Sequence, residues 1–214
     1  MKLSTFINGS ISNDSLITER IKITSNTQSY RPVPASKDEL ISIIKDELES
    51  QGPDADLNHI DTYKVTDMSN LFANKNIGNI KIDKWNVSNV TNMSHMFNLC
   101  YKFNSDLSDW NTRNVTSMYS MFSDCDKFEG TGLDNWDVSN VTTMEGMFSW
   151  CKKLNVDLSS WRTSNVSNMK YMFYNCPIFN CDLSSWDVSK VTNHYETFKN
   201  CPNMAPELQP NFKN

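Results

Sequence analysis

The stretch Trp85-Asn86-Val87-Ser88-Asn89-Val90-Thr91-Asn92-Met93-Ser94-His95-Met96-Phe97-Asn98-Leu99-Cys100 decides the architecture, because it returns in altered form along most of the chain. Trp85, Trp110, Trp136, Trp161 and Trp186 are spaced by 25, 26, 25 and 25 residues. In the same register run Val65, Val90, Val115, Val141, Val166 and Val191, then a column of Met68, Met93, Met118, Met144 and Met169. Phe72, Phe97, Phe122, Phe148, Phe173 and Phe198 form a further column, and Cys100, Cys125, Cys151, Cys176 and Cys201 the next. One period before Trp85 stands Ile60, which opens a degenerate first unit.

Within a unit Met93, Met96, Phe97 and Cys100 stand at i, i+3, i+4 and i+7, the spacing of one apolar helix stripe. Thr91, Thr116, Thr142, Ser167 and Thr192 take the place of an N-cap before it. The pattern Leu107-x-x-Trp110-x-Thr112, repeated at Leu158 and Leu183, alternates like a short strand with one face inward. The expected fold is therefore an α/β solenoid: a leucine-rich-repeat-like stack of six coils, each a short parallel strand plus a short helix, with an N-terminal helical cap.

Outward from the repeats, Ser36-Lys37-Asp38-Glu39 reads as a capping box, Leu40, Ile43, Ile44 and Leu48 as a helix face, and Gly52-Pro53 as its stop. The organisation that follows is an extended arm over 1–35, a capping helix and linker over 36–59, the repeat array over 60–208 and a tail over 209–214. The arm ends in Tyr30-Arg31-Pro32-Val33-Pro34 and buries too little to fold alone, so docking on a larger assembly is expected of it.

The string from Trp85 through Asn104 and Asp106-Leu107-Ser108 resembles the BspA-like repeat family. The likeness covers residues 60–208 and includes the opening Ile60-Asp61-Thr62. It implies adhesion or virion roles rather than catalysis. Relatives are found on bacterial surfaces, in mycoplasma lipoproteins and in proteins of gut phages. The start of the chain lacks the apolar run of a secretory signal, which turns the expectation toward a phage virion, with a bacterial surface or secreted adhesin and an intracellular scaffold as alternatives.

Composition narrows the partners. A net charge of -5 without clustered Lys or Arg argues against nucleic acid, and no apolar run has the length of a membrane span. The three histidines, His59, His95 and His194, fall in different units, so no thiol has a base at a fixed offset, and no enzyme activity, cofactor or metal is expected. The cysteine column reads as buried, reduced filler. Asp106, Asp157 and Asp182 read as Asx turns rather than as calcium ligands. Asn89, Asn114, Asn140 and Asn165 begin glycosylation sequons, yet read better as an amide ladder between units. The polar column Asp61, Asn86, Asn111, Asp137, Arg162 and Asp187 reads as a solvated face. Outside all the core columns lie Leu99, Tyr119, Trp150, Tyr171, Tyr174 and Tyr195, the candidate surface for a protein or a cell-surface glycan.

Overall fold

The computed structural model describes residues 31–212. Most of the arm expected over 1–35, together with its anchoring role, lies outside these residues.

Helix α1 spans Lys37–Gln51. The Ser36 hydroxyl accepts the Glu39 N–H at 3.2 Å, and the Glu39 carboxylate reaches back to the Ala35 N–H at 2.7 Å. Gly52 ends the helix at φ 85°, its N–H donating to the Leu48 carbonyl. Leu40 and Ile44 are fully buried on the first unit, and Lys37 Nζ donates to Ser69 Oγ at 2.6 Å beside Asp67.

Beyond α1 the expectation of an α/β solenoid of six strand-and-helix coils fails. The remaining helical segments among the described residues are the single turns Leu133–Asn135 and Pro206–Leu208. Pairing between units is confined to isolated parallel bridges, Asp67 to Asn92, Asn92 to Ser117, Ser117 to Thr143, Thr143 to Asn168 and Asn168 to Asn193, with Asp56 to Lys81 set apart. No sheet forms. The leucine-rich-repeat-like description of the coil therefore does not hold either.

The backbone explains both failures. Where a helix was expected, Met96 N–H donates to the Met93 carbonyl, Asn98 to His95 and Cys100 to Phe97, each three residues back. The N–H groups between them leave the unit altogether: Met93 donates to Ser117, His95 to Tyr119, Phe97 to Met121 and Leu99 to Ser123. The same alternation holds in each unit from Met68 to Asn175. Overlapping turns of this kind return the chain every four residues, and His95 (φ 57°) and Leu99 (φ 60°) are left-handed where a helix would continue. Met93 with Phe97, and Met96 with Cys100, are thus two rows of period four. Over eight residues that spacing is indistinguishable from the 3.6 of a helix.

The expected strand bends for a similar reason. Trp110 N–H donates to the Leu107 carbonyl, Trp161 to Leu158 and Trp186 to Leu183, closing a turn inside each Leu-x-x-Trp. The threonines cap nothing: Thr91, Thr116, Thr142, Ser167 and Thr192 donate their hydroxyls at 3.0 to 3.3 Å to the carbonyl of the equivalent residue one unit earlier.

Packing then follows from translation by one unit. Phe72, Phe97, Phe122, Phe148, Phe173 and Phe198 stack with centroids 5.4 to 5.8 Å apart and planes within 21°. Each core indole N–H finds a carbonyl in the preceding unit at 2.7 to 3.2 Å, as Trp161 does at Leu133. Asn89, Asn114, Asn140 and Asn165 donate their amides at 2.7 or 2.8 Å to carbonyls of the preceding unit, which is the expected ladder. The one longer spacing, Trp110 to Trp136, is absorbed at Gly132 (φ 90°), where a Cβ would stand 2.3 Å from the Ser108 nitrogen. At the far end the Leu208 carbonyl accepts from Leu183, and the Phe212 ring lies flat on His194 at 4.4 Å.

Candidate functional site

Two left-handed positions recur in every unit. The first holds Asn70, His95, Ser120, Gly146, Tyr171 and Glu196, and the second Asn74, Leu99, Asp124, Trp150, Asn175 and Asn200. Asn, Asp and Gly are the residues that take this conformation readily, whereas a bulky side chain there is strained by about 1 to 3 kcal/mol. Tyr171 (φ 57°) and Trp150 (φ 63°) are the departures that matter. Burial does not compensate Trp150, which is 44% exposed.

These two residues belong to one group of rings. Trp150 meets Tyr174 at 6.2 Å, Tyr174 meets Tyr171 at 5.4 Å, and Tyr171 meets Tyr195 at 5.6 Å, all edge to face at 61 to 76°. Tyr171 and Tyr174 are half-buried, while Tyr195 is 57% exposed. Lys170 Nζ sits 4.9 Å above the Tyr171 ring and 3.7 Å from Glu145. Glu196, bonded to the Tyr195 hydroxyl, raises its pKa, and Lys199 lowers that of Glu196. The ridge thus offers apolar ring edges, an indole N–H and phenol hydroxyls on one surface.

Four of the six candidate residues, Trp150, Tyr171, Tyr174 and Tyr195, are therefore brought together. Tyr119, 37% exposed, pairs instead with His95 at 4.6 Å, edge to face. Leu99 is half-buried and lines a shallow hollow with Asn74, Lys75, Asn76, Tyr101 and Lys102. The sequence reading missed His95 and Lys170. His95 was legible in principle, since it shares the column of Tyr171; the left-handed strain carried no signal in the residue order.

The other motifs serve the framework. Asp106, Asp157 and Asp182 each accept the N–H of the serine two residues on, at 2.9 or 3.0 Å, as Asx turns. Bonds from Ser159 and Ser184 hold the carboxyls of Asp157 and Asp182 below the usual range. Asn86, Asn111, Asp137 and Asp187 make the same turn with Ser88, Arg113, Ser139 and Ser189, so the polar column also builds bends. Cys100, Cys125, Cys151, Cys176 and Cys201 are buried free thiols, each aimed at the carbonyl of a phenylalanine in the preceding unit at 2.6 to 3.1 Å. Burial pushes the Cys100 thiol up to about 11 and raises those of Cys125, Cys151 and Cys176. Cys181, outside the column, is also buried and lies 3.5 Å from Asp157. The histidines are far apart in role as well: His59 meets Glu47 at 2.9 Å, His95 meets Tyr119, and His194 meets Phe212.

No curated protein and no solved structure matches the chain. A family does match, twice in tandem, over residues 46–132 and 126–211, and its description reads Mycoplasma protein of unknown function. The two matches together span most of the chain. The chain therefore belongs to the Mycoplasma family of unknown function DUF285, and it is a repeat protein of the BspA-like kind.

Proposed function

We propose that the chain is a non-enzymatic binding module that uses the Trp150, Tyr174, Tyr171 and Tyr195 ridge to hold a partner at a surface. The observation that carries this reading is the strain: two large rings occupy left-handed positions, where most other units place small or polar residues, and one of them, Trp150, is exposed. Strain kept without burial is characteristic of sites shaped by contact with something else. Aromatic residues with a polar tip are also the ones that dominate interface energies.

The partner is a protein or a cell-surface glycan. Of the three homes weighed above, a virion and an intracellular scaffold draw no support from the family match, whereas the Mycoplasma description of the family favours a bacterial surface. An adhesive role there is the reading adopted.

The test uses beads coated with the full chain and laid on epithelial cells, compared with beads carrying the variant W150S/Y171S/Y174S. The parent beads are expected to be retained and the variant beads to wash off, while the variant still melts cooperatively, because Trp150 is exposed and Tyr171 and Tyr174 lie outside the buried core. Pretreating the cells with protease or with glycosidases separates a protein from a glycan partner. Equal retention of the two kinds of bead would remove the ridge from the function.

A further inference from the structure

Four lysines of the array are answered by an acid about one unit away: Lys81 by Asp56, Lys84 by Asp109, Lys152 by Asp126 and Lys170 by Glu145. One column departs from this rule. Lys102, Lys127 and Lys153 take the same place in three successive units, each between a cysteine and the next core residue, in turns closed by Phe103 on Cys100, Phe128 on Cys125 and Leu154 on Cys151. Both ends of every turn are buried, so the three exposed lysines stand one above another. The Phe97, Phe122 and Phe148 rings of the same units lie 5.5 and 5.8 Å apart, which sets the step of the column. Among the described residues no carboxylate forms an ion pair with any of the three. The two acids nearest in sequence are engaged elsewhere, Asp124 by Ser123 at 2.9 Å and Asp126 by Lys152 at 2.8 Å.

The column begins at the shallow hollow of Asn74, Lys75, Asn76, Leu99, Tyr101 and Lys102. Lys75 adds a fourth cation there, also without an ion pair among the described residues. Tyr101 is 51% exposed and has no ring neighbour among these residues, and the side-chain amides of Asn74 and Asn76 have no partner among them. Like charges stacked in this way repel one another, so the fold gains nothing from the column.

A ligand that profits from it carries negative charge at regular intervals. An acidic polysaccharide does, because linked pyranoses advance per sugar by a distance close to the height of one unit. Its hydroxyls suit the two amides, which both donate and accept, and the apolar face of a pyranose suits an unstacked phenol ring. Nucleic acid is the other regular polyanion, but single strands call for a stacking ring at successive bases, and the hollow offers one.

We propose that the hollow and the lysine column bind an acidic polysaccharide, with Lys75, Lys102, Lys127 and Lys153 on its carboxylates or sulfates, Tyr101 against one sugar ring and Asn74 and Asn76 on its hydroxyls. These residues are not those of the aromatic ridge, and the site stands whether or not the ridge holds a partner.

The experiment is calorimetric titration of the full chain with heparin hexasaccharide and hyaluronan hexasaccharide, with uncharged chitohexaose and a thymidine oligonucleotide as comparisons. At least one acidic hexasaccharide is expected to bind saturably and to weaken as salt is raised, while chitohexaose and the oligonucleotide give no saturation; whichever acidic sugar binds more tightly tells sulfate from carboxylate. K102Q/K127Q/K153Q should abolish that binding, whereas K81Q/K84Q/K190Q, which removes the same charge from other positions, should leave it in place. Y101S should weaken the hexasaccharide, and Y171S/Y174S should not. Equal losses in the two lysine variants would reduce the effect to net charge and overturn the proposal. So would equal binding of the oligonucleotide, loss of binding in Y171S/Y174S, or no saturation with either acidic sugar.

Discussion

Aromatic rings recur in two regions of this molecule under opposite rules. In the phenylalanine column the rings are buried and nearly coplanar, because translation by one unit copies both the position and the plane of each ring. On the ridge the rings come from different positions of the unit, stand edge to face and reach solvent. The column is what the repeat produces when every unit agrees. The ridge is what appears where the units disagree, and it sits partly on backbone that suits asparagine or glycine better. Repetition identifies the framework, and departure from repetition identifies the surface that does something particular.

The sharpest way to break this comparison is to truncate a ring on each side. Phe148→Ala is expected to lower stability by about 3 to 5 kcal/mol in urea unfolding, since the cavity opens between two stacked neighbours, whereas Trp150→Ser should change it little. Equal losses would mean that the ridge is structural. A smaller effect is expected from Trp161→Phe, which keeps most of the ring and removes the N–H bonded at 2.7 Å to the buried Leu133 carbonyl. That carbonyl keeps the Trp136 N–H at 3.1 Å, so losing one of its two bonds should cost about 0.5 to 1.5 kcal/mol. A neutral outcome would show that water replaces the indole there.

The comparison is sharpened further by a change of opposite sign. Trp150→Asn with Tyr171→Asn places favoured residues at both left-handed positions, so thermal unfolding should move upward, by about 1 kcal/mol per site if strain is relieved in full. The same variant should lose bead retention. Stability gained with binding lost is the signature of a strained functional site; a lower melting temperature would contradict it.

The smallest effect concerns acid. Asp137, Asp157 and Asp182 have carboxyl pKa values lowered by bonds from serine. A lowered folded pKa contributes stability that is fully present above the ordinary value of about 3.9 and is lost as pH falls through the folded value. These groups are mostly exposed, so a melting temperature followed from pH 6 downward should stay level and then decline gently below about pH 4. Asp157→Asn with Asp182→Asn should make the decline shallower. An unchanged profile would remove these two turns from the acid response.

How much of this was legible in the residue order depends on the length scale. The 25-residue columns placed the core residues correctly, down to the buried cysteines and the asparagine ladder, because burial and translation leave their mark on residue type. The path of the backbone between columns was not legible. Met93, Met96, Phe97 and Cys100 satisfy a helix and a run of overlapping turns equally well, and only the direction of the N–H groups separates them. Leu107-x-x-Trp110 failed in the same way, since an apolar residue at each end is compatible with a strand or with a turn closed by the tryptophan N–H. For the site, exposure of aromatic residues outside the columns was readable, but the grouping of Trp150 with Tyr174 and the isolation of Leu99 depended on side-chain directions that the incorrect helix had assigned wrongly.

The alternation of hydrogen bonds makes the array electrically polar. In the unit around His95 four backbone N–H groups point toward the following unit, from Met93, His95, Phe97 and Leu99, while the Thr91 N–H points back to Thr66. Peptide dipoles of about 3.5 D therefore add along the axis of stacking much as they do along a helix. The surplus leaves partial negative charge on the carbonyls of the first unit, where Lys37 is stationed beside Ser69 and Asp67, and partial positive charge on the N–H groups of the last. Each added unit lengthens the column of aligned dipoles, so the two ends of such an array differ in potential through backbone direction alone, whatever side chains they carry.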